Sequence, residues 1–134
     1  MDKLAQTCER IAATTKKTEK VSLLAEYFRA PSVEDAAVSA VFLSGRAFPA
    51  HEERTLQVGG ALLWSLLEEL TRVSEPQMRA AYRKHGDLGS AAFELLATRS
   101  KAAKAVSAPL SQVQNTFDEI AATRTATAKE AILK

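Results

Sequence analysis

In Lys20-Val21-Ser22-Leu23-Leu24-Ala25-Glu26-Tyr27-Phe28, the residues Val21, Leu24, Ala25 and Phe28 recur at i, i+3, i+4 and i+7, the period of one helix face. Pro31 ends the run, because proline has no amide to donate into a continuing helix. The spacing predicts a helix that turns this stripe to the core. Upstream, Leu4, Ile11 and Ala12 share a face of a first helix that Asp2 caps, with Cys8 near its buried side as an inert packing residue. The polar stretch Thr14-Thr15-Lys16-Lys17 interrupts the pattern. Downstream, Ser32 with Asp35 approximates a capping box for a third helix carrying Val38, Val41 and Phe42, and Gly45 is placed to stop it. Arg46-Ala47-Phe48-Pro49 then breaks the helical run. Gly59-Gly60 precedes Leu62, Leu63, Leu66, Leu67 and Leu70, a helix to be buried centrally together with Trp64. Ser74 caps the next helix, with Pro76 in its first turn and Gly86 at its close. Asp87 caps a short helix holding Leu88, Ala91, Ala92, Leu95 and Leu96. Ser111 and Gln114 form a capping box for Val113, Phe117 and Ile120, and a last helix starts near Thr127. Strand signals are weak throughout. The prediction is an all-α chain, a compact bundle of seven or eight short helices.

At 134 residues, 46% apolar and 25% charged, the chain suits one soluble domain over 1–134. That size buries roughly two-thirds of the unfolded surface. No uncharged run is long enough to span a membrane, and the amino terminus lacks the apolar block of a secretory signal. The single Cys8 excludes an internal disulfide framework and suits a reducing cytoplasm. With one cysteine and two histidines, His51 and His85, a four-ligand zinc module does not fit.

Eighteen basic against sixteen acidic residues give a net charge of +2, which by itself points to no partner. The distribution says more. No acid falls between Glu75 and Asp87, a gap holding Arg79, Arg83 and Lys84, or between Glu94 and Asp118, a gap holding Arg99, Lys101 and Lys104. Lys16, Lys17 and Lys20 form a further cluster relieved only by Glu19. Such clusters read either as solvated helix faces or as a phosphate-facing surface.

A shift of 109 residues lays Ile11-Ala12-Ala13-Thr14 on Ile120-Ala121-Ala122-Thr123, Thr18 on Thr127, Lys20 on Lys129 and Leu24 on Leu133. Seven of the 18 positions from Cys8 to Ala25 are then identical, which reads either as a true repeat or as the chance matching of alanine-rich helices. The repeat describes a pseudo-two-fold unit: a helix, a polar turn, and a second helix whose first turn carries Thr and Lys. A helix start already favours an anion through its open amides and dipole, and a hydroxyl and an ammonium add to that.

Thr14-Thr15-Lys16-Lys17 with Lys20-Val21 and Leu23-Leu24-Ala25-Glu26-Tyr27-Phe28 resembles the start of ATP-dependent DNA ligases. So do Leu43-Ser44-Gly45-Arg46, Phe48-Pro49 and Lys84-His85-Gly86-Asp87-Leu88-Gly89, and the resemblance runs on through Phe117 to Thr127-Ala128-Lys129. The similar part is the amino-terminal, all-helical DNA-binding domain, of bacterial or archaeal type. The resemblance implies a grip on nicked double-stranded DNA across the minor groove, in replication, repair or recombination. It implies nucleoid-associated localisation in the cytoplasm, no membrane, and a monomeric fragment whose other partner is its own catalytic part. Family catalysis uses the lysine of a Lys-X-Asp-Gly motif to accept AMP from ATP. That motif is absent here, since Lys84-His85-Gly86-Asp87 has the wrong order, and no Gly-rich phosphate loop replaces it. The chain is therefore expected to be a fragment, inactive alone, that needs no cofactor while the parent ligase uses ATP and Mg.

A ligase acts at any nick, so its grip is expected on phosphate and sugar rather than on base edges, which the minor groove displays poorly. The candidate contacts are Lys16, Lys17, Thr18 and Lys20 for one strand, Thr125, Thr127 and Lys129 for the other, and Thr15 beside the first group. Gly86 and Gly89 are either plain helix-boundary glycines or points where bare backbone amides approach a phosphate. Arg99, Lys101 and Lys104 contact duplex or are simply solvated. The competing class is a helical protein-interaction scaffold, although no repeat of 34 or 40 residues supports it.

Overall fold

The computed structural model describes residues 1–99 and 107–134. Among these, eight helices and no strand occur: α1 (Asp2–Ala12), α2 (Lys17–Phe28), α3 (Val33–Leu43), α4 (Gly60–Thr71), α5 (Glu75–His85), α6 (Leu88–Arg99), α7 (Leu110–Ala122) and α8 (Ala126–Leu133). The all-α prediction holds. The helices sort into two units, one of residues 1–56 and 106–123 and one of residues 57–105 and 124–134.

Most helix ends lie where local chemistry puts them. Ser32 caps α3, accepting from the Asp35 amide at 3.1 Å. Gly45 follows α3 at φ +76°, and its amide reaches the Phe42 carbonyl at 3.0 Å. Ser74 and Gln77 complete a capping box on α5. Gly86 closes α5 at φ +68°. Two expected caps differ. Met1 precedes α1 and Asp2 sits in its first turn, where a carboxylate favours the dipole without capping. Pro109 holds the cap position of α7, so Ser111 falls inside the helix and makes no cap. Thr125 caps the last helix, accepting from the Ala128 amide at 3.3 Å, and the helix begins at Ala126, beside Thr127.

In the first unit, Leu4 of α1, Tyr27 of α2 and Leu110 of α7 form a core against which Val38, Phe42 and Leu43 of α3 pack. Phe42 meets Phe117 edge to face at 5.5 Å. This core overturns the expected face of α2. Leu23 and Tyr27 are the buried pair, whereas Val21 is 58% and Phe28 38% exposed. The reason lies in Tyr27, whose hydroxyl finds the fully buried Ser39 hydroxyl at 2.7 Å. Its ring and its polar end are thus both accommodated inside. On α1 the buried partner of Leu4 is Thr7, whose hydroxyl donates to the Lys3 carbonyl at 2.8 Å. Cys8 and Ala12 are exposed, contrary to expectation.

In the second unit, Met78 and Ala81 of α5 meet Ala91 and Leu95 of α6, with Trp64 and Leu67 of α4 and Val73 packed beside them. Helix α4 is less central than its leucines suggest. Leu66 is buried, Leu62, Leu63 and Leu67 are partly buried, and Leu70 is exposed. Trp64 is likewise half-buried; it stands edge to face with Tyr82 at 6.0 Å, and its indole N–H donates to Glu68 at 3.1 Å.

Candidate functional site

The start of α2 gathers the first basic cluster. Lys16 takes the extended cap position and no side chain caps the helix. The first bond into the helix runs from the Lys20 amide to the Lys16 carbonyl at 3.1 Å, so the leading amides are left facing outward. Thr14 shapes the turn: its hydroxyl oxygen accepts from the Lys16 amide at 3.2 Å and its proton goes to Glu19 at 2.6 Å. Thr15, Lys16, Lys17 and Thr18 are exposed and Lys20 is partly buried. Among the described residues none of the three lysines makes an ion pair. The end of the helix therefore combines partial positive charge from the backbone with two exposed ammonium groups, a chemistry that suits phosphate oxygens. Glu19 is the one carboxylate in that first turn.

The repeat is reproduced in helix register. Lys16 precedes α2 and Thr125, 109 residues later, precedes α8. The two starts differ in their chemistry. Thr125 and Thr127 are exposed, but the Thr125 hydroxyl already occupies the Ala128 amide. Lys129 is only 3% exposed, so its ammonium does not project into solvent as a free surface lysine would. Lys20 and Lys129 thus share a register without sharing an environment.

The turn between α5 and α6 holds Gly86 and Gly89. The Gly86 amide donates to the Tyr82 carbonyl at 2.8 Å, and its positive φ is what the left-handed end of α5 requires. Asp87 caps α6, accepting from the Ser90 amide at 2.7 Å and the Ser90 hydroxyl at 2.8 Å. A Cβ on Gly89 would lie 3.3 Å from that carboxylate, so the absent side chain leaves room for the cap. Hydrogen bonds from Ser90, first its amide, hold the Asp87 carboxyl below the ordinary range. Both glycines thus have local structural roles. Lys84 and His85 converge on one oxygen of Glu94, each at 2.6 Å, and the Lys84 hydrogen bond, then that of His85, lowers the Glu94 carboxyl. Arg99 ends α6, while Lys101 and Lys104 lie outside the described residues.

Reading along the chain missed Arg54. Its guanidinium lies over the Phe48 ring, 4.3 Å from the centroid, and bonds Glu52 and Asp118 at 2.7 Å each. The hydrogen bonds it donates to Glu52 and then to Asp118 raise its already high pKa. The irregular segment after α3 is thereby pinned to α7. A partner 64 residues away leaves no local signal. His51 is exposed in the same segment. Among the described residues no group of three His, Cys, Asp or Glu side chains is placed to hold a metal, and no helix is long and apolar enough to cross a membrane.

A family model described as DNA ligase N terminus matches residues 1–134. A probable DNA ligase of Koribacter versatilis (strain Ellin345) is 50% identical over 133 residues, which is 99% of this chain and 23% of that protein. A probable DNA ligase of Opitutus terrae is 38% identical over 92 residues, 69% of this chain and 9% of that protein. A DNA ligase of Methanopyrus kandleri is 30% identical over 120 residues, 88% of this chain and 22% of that protein. The chain thus spans less than a quarter of the length of these relatives.

Proposed function

This chain belongs to the DNA ligase N-terminus family, and from that premise we propose that it is the part of a ligase that holds duplex DNA by its phosphate backbone. The observation that carries the reading is the start of α2, an uncapped helix end beside exposed Lys16 and Lys17 with no ion-pair partner among the described residues. Contacts of this kind position a duplex without reading its sequence, which a protein acting at any nick requires. The minor groove is the proposed face of approach, because it offers little base information to lose. ATP and Mg belong, in this reading, to the remainder of the parent ligase, since the Lys-X-Asp-Gly nucleophile is not in this sequence. The parent enzyme would serve replication, repair or recombination.

The test is duplex affinity as a function of salt. With four to six phosphates neutralised, log Kobs falls with log salt at a slope of about −4 to −5. Affinity should be the same for unrelated sequences. Binding that is flat across roughly 50–200 mM salt, where several phosphate contacts would cost orders of magnitude in affinity, would refute the reading.

A further inference from the structure

Helix α2 carries a second apolar stripe that the core does not use. At about 100° per residue, Lys17, Val21, Ala25 and Phe28 fall within about 80° of one another, with Thr18 and Arg29 along one edge. All six residues are exposed. The buried pair Leu23 and Tyr27 faces the neighbouring sector. Both acids of the helix, Glu19 and Glu26, lie on its far side, where Glu26 pairs with Arg10 of α1 at 3.3 Å and Glu19 takes the Thr14 hydroxyl. The open sector therefore has apolar side chains in its middle, a cation at each end, and no carboxylate. Lys17 and Arg29 make no ion pair among the described residues.

We propose that this face of α2 lies along one strand of the duplex, with Val21, Ala25 and Phe28 against deoxyribose rings and Lys17 and Arg29 on the flanking phosphates. The inference rests on the DNA-binding reading and extends it from the start of the helix to its full length. Its ground is complementarity. A DNA strand presents weakly polar sugars between regularly spaced anions, and a face of apolar centre and cationic ends matches that order. The twelve residues of α2 span about 18 Å, the length of about five base-pair steps at about 3.4 Å of duplex axis each. A protein surface would equally cover the apolar middle, but it would supply no reason for unpaired cations at both ends and for the exclusion of both acids. The same contact prefers DNA to RNA, because a 2′-hydroxyl would be pressed against hydrocarbon without a partner.

The two parts of the face separate experimentally, since only charge contacts release counterions. Replacing Val21 and Phe28 together by Ser should weaken binding of the full chain to a nicked DNA duplex about tenfold, through lost apolar contact, while leaving the salt slope unchanged. Phe28→Leu should keep most of the affinity. Lys17→Ala and Arg29→Ala should each reduce the slope by about one. A nicked duplex of RNA should bind more weakly than the DNA, and the Val21→Ser, Phe28→Ser variant should narrow that gap. Circular dichroism should show the variant folded, because both positions are exposed. A folded variant that binds DNA as tightly as the parent overturns the inference and assigns the stripe to another partner. If the parent chain itself shows no salt-dependent binding, the DNA-binding reading fails and this inference falls with it.

Discussion

Lys20 and Lys129 occupy equivalent places in the 109-residue repeat, each the fourth residue of its helix. Equal roles on two strands would make each worth one phosphate contact. Their environments predict otherwise. Lys20 is partly buried and has no ion-pair partner among the described residues, so Lys20→Ala should reduce the salt slope of duplex binding by about one and change stability by less than about 0.5 kcal/mol. Lys129 is 3% exposed, so its four methylenes are packed and its ammonium has no direct route to a DNA phosphate. Lys129→Ala should leave the slope unchanged and cost about 1–3 kcal/mol, from the lost packing of the stem. The double variant should then shift the slope by about one rather than two. Binding titrations at four or five salt concentrations, with urea melts of each variant, give both quantities. A drop of one slope unit for Lys129→Ala with unchanged stability would refute the reasoning, because it would show that lysine on a phosphate.

The left-handed helix ends make a paired prediction. Gly86→Ala should destabilise by about 0.5–1 kcal/mol, the left-handed cost of about 1–2 less the backbone entropy recovered on losing glycine, since a Cβ there would meet no atom within 4 Å. Arg72 ends α4 at φ +49°, so Arg72→Gly should stabilise by about 0.5–1 kcal/mol, the left-handed cost of about 1–2 less the extra backbone entropy of glycine. Thermal melts decide both signs. Asp87 and Glu94 have lowered carboxyl pKa values, so the unfolded chain takes up protons first as pH falls. Their stabilisation should be complete above their ordinary values of 3.8 and 4.5 and should fade as pH drops through the lowered ones; Glu94→Gln should flatten that decline. Incubation with labelled ATP and magnesium should leave every lysine unlabelled, which mass spectrometry of the intact chain checks.

What the sequence disclosed and what it hid divide along a physical line. Caps at Ser32, Ser74, Gly45 and Gly86 depend on three or four neighbouring residues, and reading those neighbours suffices. The Asp87 cap on α6 belongs to the same class. The cap positions of α1 and α7 were harder, because Met1 and Pro109 take them without any side-chain bond that a pattern would reveal. The Arg54 staple and the convergence of Lys84 and His85 on Glu94 join residues from different segments, and no spacing rule encodes them.

Helix faces are harder still, and α2 shows why. Its apolar residues occupy more than half the circumference, so the periodicity is satisfied by two adjacent stripes, Val21-Leu24-Ala25-Phe28 and Leu23-Tyr27. Propensity does not choose between them. The choice is made by α3, which offers a buried hydroxyl at Ser39 to the one aromatic that carries a matching group. Phe28 has nothing to offer that hydroxyl; its ring meets that of Tyr27 edge to face, at 5.3 Å between centroids, and stays exposed. The same logic separates the two lysines of the repeat. Identical residues in identical register sit in opposite surroundings because burial is decided by what packs against a helix, not by the helix. An apolar stripe on the surface is therefore not a failure of patterning. When one stripe is consumed by the core and the other is bracketed by cations with no ion pair among the described residues, the second is better explained by a binding partner outside the fold than by the fold itself.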